Sequence, residues 1–393
     1  MSRWCQSAVG LQLRRVIPAA VGFLLLSWLS STAMAPAQQP EGPDSEALSL
    51  TEILGSGSTA GYTRATEPRV FRFPEDYGAH EDFRTEWWYF TGNLTTAGGR
   101  RFGYQFTLFR NALSPEAPER VSDWATRQVF MAHFALTDQQ GETFQAFERF
   151  SRGAAGLAGV EATPFRAWLD DWEIRGGEDP PPFQLRVAEG GTGIELELET
   201  AKPVVFNGDQ GLSQKGRQPG NASYYYSLTR MPTRGTVTVG YKTFQIQGSS
   251  WLDREWSTSV LEEGQIGWDW FALQLSDGTD LMVYQLRRTG GVTDPLSSGT
   301  LVKEDGTATS LTSADFSIQS LDSWTSPATD TEYPSAWRVQ VPAEEIDLRV
   351  TPLLPDQELN LSFRYWEGAV SVAGTSGSQP VTGRGYVELT GYE

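Results

Sequence analysis

The sequence predicts an all-β protein made of two consecutive antiparallel modules, and three features of the chain support this fold class. The first is a strict alternation of apolar and polar residues, the period of a half-buried strand, at 194–199, 236–241 and 361–365. The second is composition, because forty glycines and twenty-two prolines separate short apolar runs along the 393 residues. Frequent Gly and Pro residues between short apolar runs are typical of antiparallel sheets and barrels.

The third feature is an aromatic hairpin that occurs twice. Its first copy runs from 86 to 110 around a Gly-Gly turn, and its second runs from 268 to 287 around a Ser-Asp-Gly-Thr turn. Two related β-modules, each beginning with such a hairpin, are the simplest interpretation. Aligning Leu94 with Leu275 brings three aromatic residues of the first copy onto three of the second: Trp87, Tyr89 and Phe90 onto Trp268, Trp270 and Phe271.

We place the first domain at 61–235 and the second at 236–393, because two domains are the usual expectation for a chain of this length. The polar, glycine-rich segment 207–221 carries Lys215 and Arg217. It is expected to be a surface loop of the first domain, at or near a barrel mouth.

The first 37 residues have the order of a secretory signal: arginines, then the mostly apolar run 16–29, then small residues. That run is short for a transmembrane span. We expect cleavage between Ala37 and Gln38, and therefore a periplasmic or secreted protein. The pair Arg14-Arg15 leaves the general and the twin-arginine export routes open. Residues 38–60 are expected to form a disordered linker with one short helix at 45–54.

Charge and cysteine content exclude several classes of function. The formal charge of −18 makes nucleic acid a poor partner. The single cysteine, Cys5, lies in the predicted signal, so thiolate catalysis, disulfides and Cys-ligated zinc are not expected in the mature protein. There is no Gly-x-Ser-x-Gly elbow, phosphate-binding loop or dinucleotide fingerprint. We expect no cofactor.

The chain resembles the AttH-like, carotenoid 1,2-hydratase-related family, whose fold is two lipocalin-like β-barrels in tandem. The resemblance extends from about residue 60 to the C-terminus, and it implies that fold here. The stretches that carry it are His80–Gly92, Ala132–Asp138, Glu148–Arg152, Ser250–Trp256, Tyr365–Gly368 and Gly385–Tyr392.

The resemblance also concerns activity, with one departure. Carotenoid hydratases of this group are thought to use a His-x-Trp and a Tyr-x-Asp element. The corresponding positions here are Arg254-Glu255-Trp256 and Tyr284-Gln285-Leu286. The histidine is replaced by arginine and the acid by leucine, and Leu286 cannot donate a proton. If the protein is an enzyme, the resemblance implies a carbon–oxygen lyase that hydrates a double bond.

The aromatic residues are the candidate ligand-binding groups, because binding pockets are mostly apolar with a few polar groups. Core packing is the alternative for each of them. In a strand, Trp87 and Trp88 point to opposite faces, so both cannot line one cavity. The candidates are Trp87, Trp88, Tyr89, Trp256, Trp268 and Trp270.

Acidic residues among these aromatics are the candidate catalytic groups. A carboxyl group packed against indoles has a raised pKa and can act as a general acid near neutral pH. The alternative is a structural ion pair, such as Glu86 with Arg84 or Arg110. The catalytic candidates are Asp253, Glu255, Asp269 and Tyr284, with Glu86, His80, His133 and Arg254 as further candidates.

His80 and His133 are the only histidines, and they could take part in proton transfer or be structural. Their separation is not a metal-ligand spacing, so no metal site is expected. Three functions are open. The favoured one is an exported binding protein for a long apolar molecule or lipid. The alternatives are a hydratase for such a molecule and a partner of membrane export machinery.

Overall fold

The structure is a computed structural model that describes residues 48–49, 58–116, 122–177, 179–259 and 261–392. The predicted signal peptide lies outside the described residues, as does nearly all of the predicted linker. Within the predicted helix at 45–54, only 48–49 are described, and they form a short strand parallel to the residues at 363–364. A helix across those two residues was therefore a wrong prediction.

The protein is all-β, as predicted, and forms two lipocalin-like antiparallel barrels in tandem. The first sheet contains thirteen strands: β2 (Thr85–Thr95), β3 (Arg101–Ala112), β4 (Gln128–Asp138), β5 (Thr143–Arg152), β6 (Ala158–Ala162), β7 (Phe165–Leu169), β8 (Trp172–Gly177), β9 (Phe183–Glu189), β10 (Thr192–Leu198), β11 (Val205–Phe206), β12 (Leu212–Gln214), β13 (Ala222–Val239) and β14 (Lys242–Ser257).

The second sheet contains twelve strands: β1 (Leu48–Ser49), β15 (Gln265–Leu275), β16 (Asp280–Arg288), β17 (Val292–Thr293), β18 (Ser298–Val302), β19 (Ala308–Thr312), β20 (Ser317–Thr325), β21 (Glu332–Val341), β22 (Ile346–Pro352), β23 (Glu358–Asn360), β24 (Phe363–Ser376) and β25 (Gln379–Thr390). Two 3-10 helices lie at Glu75–Tyr77 and Pro342–Glu344. Among the described helices, none is both long and apolar enough to span a bilayer.

The two sheets have the same strand order around their hairpins. The first runs β5-β4-β3-β2-β14-β13-β10-β9-β8-β7-β6, and the second runs β19-β18-β16-β15-β25-β24-β22-β21-β20. In each, the first hairpin strand lies between its hairpin partner and the last strand of the module. The two aromatic hairpins, β2–β3 and β15–β16, therefore occupy equivalent positions, which confirms the predicted repeat.

The three alternating runs predicted in the sequence overlap strands of the structure, but the predicted ends differ from the observed ones. The 194–199 run is β10 with one residue beyond its end, and the 236–241 run ends early because Gly240 and Tyr241 form the turn into β14. The 361–365 run begins late, since β24 starts at Phe363. The change of sheet occurs between Ser257 and Gln265, which is later than the predicted boundary at 235/236 because β14 pairs with both β13 and β2.

Among the described residues, the two barrels pack against each other within one compact unit. A side chain of β2, Asn93, donates a 2.9 Å hydrogen bond to the carbonyl of Gly385 on β25. Gly103 allows β3 to approach β24 closely, because a Cβ at this position would lie 2.2 Å from the Cβ of Ala369. The outer face of the first hairpin therefore meets β24 and β25 of the second barrel at this interface.

Candidate functional site

A cavity lies between the two barrels, where their outer faces meet. Its empty space is about 700 Å³, counting the part that is open to solvent. Eight aromatic rings line it: Trp87, Tyr89, Phe109, Tyr225, Trp268, Trp270, Tyr284 and Tyr365. The other lining residues are Thr107, Lys215, Asp253, Glu255, Leu261, Leu286 and Glu388.

Strand alternation explains which aromatics reach the cavity. Successive side chains of a strand point to opposite faces, so Trp87 and Tyr89 face outward while Trp88 and Phe90 enter the core of the first barrel. The second hairpin does the same: Trp268 and Trp270 face the cavity. The predicted opposition of Trp87 and Trp88 is confirmed.

Asp253, a predicted acid, points into the cavity from β14. Its Oδ1 accepts hydrogen bonds from Ser227 Oγ at 2.5 Å and from Trp251 Nε1 at 2.7 Å, and its Oδ2 accepts one from Tyr225 at 2.5 Å. Burial raises the pKa of Asp253 to about 7, although these three donors act to lower it. The group therefore exchanges its proton near neutral pH.

Glu255 also lines the cavity and has a cationic partner. Lys215 Nζ lies 3.3 Å from Glu255 Oε1, and Ser223 Oγ donates to the same oxygen. Burial acts to lower the pKa of Lys215, but the neighbouring Glu255 carboxylate and Tyr284 raise it overall. Tyr284 accepts a hydrogen bond of 2.9 Å from Ser298. Glu255 is therefore held in an ion pair.

Glu388 is a second acid that contributes to the cavity, from β25. Burial raises its pKa to about 8, with Asp253 and Glu255 contributing through their charges. Its cross-strand partner on β24 is Glu367, which accepts a hydrogen bond from Tyr89 of the other barrel. Burial raises the pKa of Glu367 well above its usual range, with the charge of Glu388 adding to the effect.

His133 lies beside the cavity rather than in its wall. Its Nδ1 is 2.8 Å from the hydroxyl of Tyr365, which lines the cavity. Its Nε2 is 3.9 Å from Glu148. Burial lowers the pKa of His133 to about 3, so the imidazole is neutral at physiological pH.

Another group of predicted residues forms a separate buried ion cluster at the first barrel. Glu86 contacts both Arg110 and Arg254. Burial opposes its ionisation, but the two guanidinium groups hold the pKa of Glu86 far below its usual range. His80 lies 3.3 Å from Glu86 and 2.9 Å from Asp76. The alternative of a structural pair for Glu86 therefore fits this placement.

Trp88 and Trp256 do not reach the cavity. Both are buried in the core of the first barrel, with 1% and 0% of their surface exposed. Trp88 donates a 2.8 Å hydrogen bond to the carbonyl of Tyr77, and Trp256 stacks on His80 at 3.7 Å between ring centroids. Their selection as ligand-binding residues does not fit this placement, because their strands turn them inward. The same reason separates Arg254 from the cavity.

Asp269 also points away from the cavity. It lies 3.0 Å from Arg287 Nε and accepts a 2.9 Å hydrogen bond from Tyr392. Burial raises its pKa, against the effect of Arg287. On β15, Asp269 lies between Trp268 and Trp270, so its side chain points to the opposite face of the strand. The position of Asp269 fits a structural ion pair with Arg287 and does not fit a catalytic role at this cavity.

Sequence reasoning missed several cavity residues, chiefly Lys215 and Glu388. Lys215 belongs to the segment predicted as a surface loop, but that segment contains β12 and buries Asn207, Ser213 and Lys215. A signal existed for Glu388, which stands between Val387 and Leu389 in the last strand. Both of those neighbours are buried in the second core, so an intervening acid must face away from that core.

The carboxyl groups of the cavity do not form a metal site of the usual kind. Across the described ranges, no group of three or more His, Cys, Asp or Glu side chains is arranged to hold a metal ion. The cavity presents carboxyl, phenol, ammonium and indole groups to a ligand.

Comparison with known proteins gives consistent matches over most of the chain. The AttH-like family matches residues 64–392. The solved structure of an AttH-like protein from Nitrosomonas europaea is 33% identical, with a TM-score of 0.75, and the match covers 84% of this chain and 100% of that one. Kievitone hydratase from Nectria haematococca is 15% identical, with a TM-score of 0.63, and the match covers 84% and 96%. The second likeness shows the fold alone. No protein of curated function matches the sequence.

Proposed function

The chain belongs to the AttH-like family, and from this premise we propose that it binds an elongated, largely apolar small molecule in the cavity between its two barrels. The observation that carries the proposal is the aromatic lining contributed by both barrels. Trp87 and Trp268, from equivalent positions of the two hairpins, are only half-buried and face this space together with Leu261. Half-buried indoles that converge on a cavity are typical of ligand sites rather than of core packing.

Native mass spectrometry of protein purified from its own source tests this proposal. We expect an apolar molecule to copurify and to be lost on unfolding. Titration with farnesol and geranylgeraniol provides a second measurement, because a ligand in contact with Trp87 and Trp268 changes their fluorescence. If no molecule copurifies and neither isoprenoid alters the fluorescence, the proposal is wrong.

A second candidate function is hydration of a carbon–carbon double bond, and the protonation of Asp253 favours it. A carboxyl group with a pKa of about 7 supplies a proton near neutral pH. The Asp253 proton would pass to one alkene carbon as the π electrons form the new C–H bond. Water would then form a C–O bond at the resulting cation and return a proton to a carboxylate. Kievitone hydratase, which shares the fold, is named for a reaction of this class.

Incubation in water enriched in heavy oxygen tests the second candidate directly. Each isoprenoid that binds is recovered, and its molecular mass is measured by mass spectrometry. Hydration adds one labelled oxygen, whereas simple binding returns the ligand unchanged. Absence of label in every ligand that binds would exclude hydration of those ligands and leave the binding function.

Export is a further proposal, based on the predicted signal at residues 1–37. It would place the ligand and the protein in the periplasm or outside the cell, where a partner in the export machinery is a remaining alternative function. N-terminal sequencing of protein from that compartment is expected to begin at Gln38. Recovery of chains that still begin at Met1 would contradict cleavage.

A further inference from the structure

We infer that the cavity selects ligands that carry a positive charge on an apolar frame, such as long-chain amines and quaternary ammonium compounds, over anions of equal length. This inference rests on the proposed binding function and specifies its ligand class. It is argued from the charges that line the cavity, the faces of its rings and the position of one lysine.

The cavity has an excess of acidic groups. Three carboxyl groups line it, but Lys215 is its one basic residue. That lysine is already paired with Glu255, at 3.3 Å. Among the described residues, no lysine or arginine nitrogen lies within ion-pair distance of Asp253 or Glu388. When these two acids ionise, the cavity carries uncompensated negative charge, which a bound cation would neutralise and a bound anion would increase.

The rings provide the second element of a cation site. A cation is attracted to the face of an aromatic ring, and the cavity already holds one in this way. The ammonium group of Lys215 lies 4.2 Å from the ring centroid of Tyr284 and 5.1 Å from that of Tyr225. The cavity wall also contains the indoles of Trp87 and Trp268. A ligand cation would therefore meet rings and carboxyl groups together.

Proton exchange links this selectivity to pH. Burial raises the pKa of Asp253 to about 7 and that of Glu388 to about 8, so at neutral pH Asp253 is about half ionised and Glu388 is mostly neutral. A bound cation favours their ionised forms and releases protons. Its affinity should therefore increase as the pH rises through this range. The other titratable groups that face the two acids are Tyr89 on β2, Lys215 after β12, Tyr225 on β13, Glu255 on β14, Tyr284 on β16, and Tyr365 and Glu367 on β24.

Those other groups do not reverse the expected direction. Burial raises the pKa values of Tyr89, Tyr225 and Tyr365 well above their usual range, so these phenols stay neutral. Lys215 stays charged because its pKa is raised. The pKa of Glu367 is also raised well above its usual range. Ionisation of Glu367 would add negative charge as well, so it acts in the same direction as ionisation of Asp253 and Glu388.

Three probes of matched length test the inference on the full chain: decyltrimethylammonium, decanoate and decanol. Their dissociation constants are measured by tryptophan fluorescence and calorimetry at about pH 6 and about pH 8.5. We expect the ammonium probe to bind roughly tenfold more tightly than decanoate at the higher pH, and its advantage to shrink at the lower pH. Calorimetry in buffers of different ionisation enthalpy should show proton release with the ammonium probe.

Matched variants assign the effect to the two acids. Asp253→Asn and Glu388→Gln should each weaken ammonium binding several-fold while leaving decanol binding unchanged. Glu161→Gln, at an exposed position of β6, is the control and should change neither. Circular dichroism verifies that each variant is folded. The comparison of the three probes uses the unaltered protein, so it tests the inference even if a variant fails to fold.

The outcomes separate this inference from the function on which it rests. If decanol binds but the ammonium probe binds no more tightly than decanoate, the cation preference is wrong and the binding function stands. If none of the three probes binds, the binding function itself fails for ligands of this length, and the inference fails with it.

Discussion

The phenol of Tyr225 donates a 2.5 Å hydrogen bond to Asp253 and accepts one of 3.2 Å from the indole of Trp270. Tyr225 and Asp253 belong to the first barrel, whereas Trp270 belongs to the hairpin of the second. The orientation of the buried acid therefore depends on the docking of both barrels. The chemistry of the cavity is a property of their interface and is absent from either barrel alone.

The first prediction concerns the pH dependence of stability. The pKa of Asp253 is about 7 in the folded protein against 3.8 ordinarily, so the folded state binds more protons between these values. The contribution of Asp253 to the free energy of unfolding is fully present below about pH 4 and is lost as the pH rises to about 7. Because one pKa unit corresponds to about 1.4 kcal/mol, the loss should be on the order of 4–5 kcal/mol.

Asp253→Asn removes this dependence. We expect its free energy of unfolding, measured by urea titration, to fall less steeply between about pH 4 and about pH 8 than that of the unaltered protein. The remaining slope comes from the other buried acids whose pKa values are raised, including Glu388, Glu367 and Asp269. Equal slopes in the variant and the unaltered protein would show that Asp253 titrates normally.

The second prediction concerns the ion pair of Lys215 and Glu255. Lys215→Met removes the only cation within 4 Å of Glu255 among the described residues. Loss of one partner from a buried pair typically costs about 3–5 kcal/mol, and urea denaturation should show a loss of this order. The double variant Lys215→Met/Glu255→Gln removes both charges and should recover most of it. A double variant as unstable as the single one would indicate that lysine packing, not charge, explains the loss.

The hairpins could be predicted from sequence because their signals are local. Period-two alternation and turn residues define β2–β3 and β15–β16 without reference to any distant residue. The same alternation correctly separated Trp87 from Trp88. It could not say which face would become core, since both faces of β2 carry large aromatic residues. That choice depends on how the barrel closes and on what covers its outside.

The remaining cavity residues depend on contacts far apart in sequence. Lys215 stands in a polar, glycine-rich segment, and only its pairing with Glu255 on β14 explains its burial. Asp269 was grouped with Asp253 as a candidate acid because its strand face could not be assigned from the sequence. Placing the cavity between the barrels requires their docking, which a single sequence does not specify.

The third prediction concerns the aromatic anchors. Trp268→Ala should weaken binding of geranylgeraniol by about 2–4 kcal/mol, because aromatic anchors dominate such sites. Trp268 suits this purpose better than Trp270, which is buried against Tyr89 and whose loss would also destabilise the fold. Trp124→Ala is the matched control, since 60% of that side chain is exposed and it does not line the cavity. If the two variants bind geranylgeraniol with equal affinity, Trp268 does not contribute to ligand binding.

The last prediction separates a binding protein from a hydratase by comparing acids of the same cavity. Protonation of an alkene requires a carboxyl group in its neutral form. Asp253 and Glu388, with pKa values of about 7 and about 8, meet this condition near neutral pH, whereas Glu255 is paired with Lys215. In a hydratase, Asp253→Asn or Glu388→Gln should abolish incorporation of heavy oxygen into a bound polyene while leaving its binding intact. Glu255→Gln should retain incorporation, unless loss of the ion pair unfolds the protein, which circular dichroism detects. If the unaltered protein incorporates no label into ligands that it binds, the carboxyl groups serve recognition and not turnover.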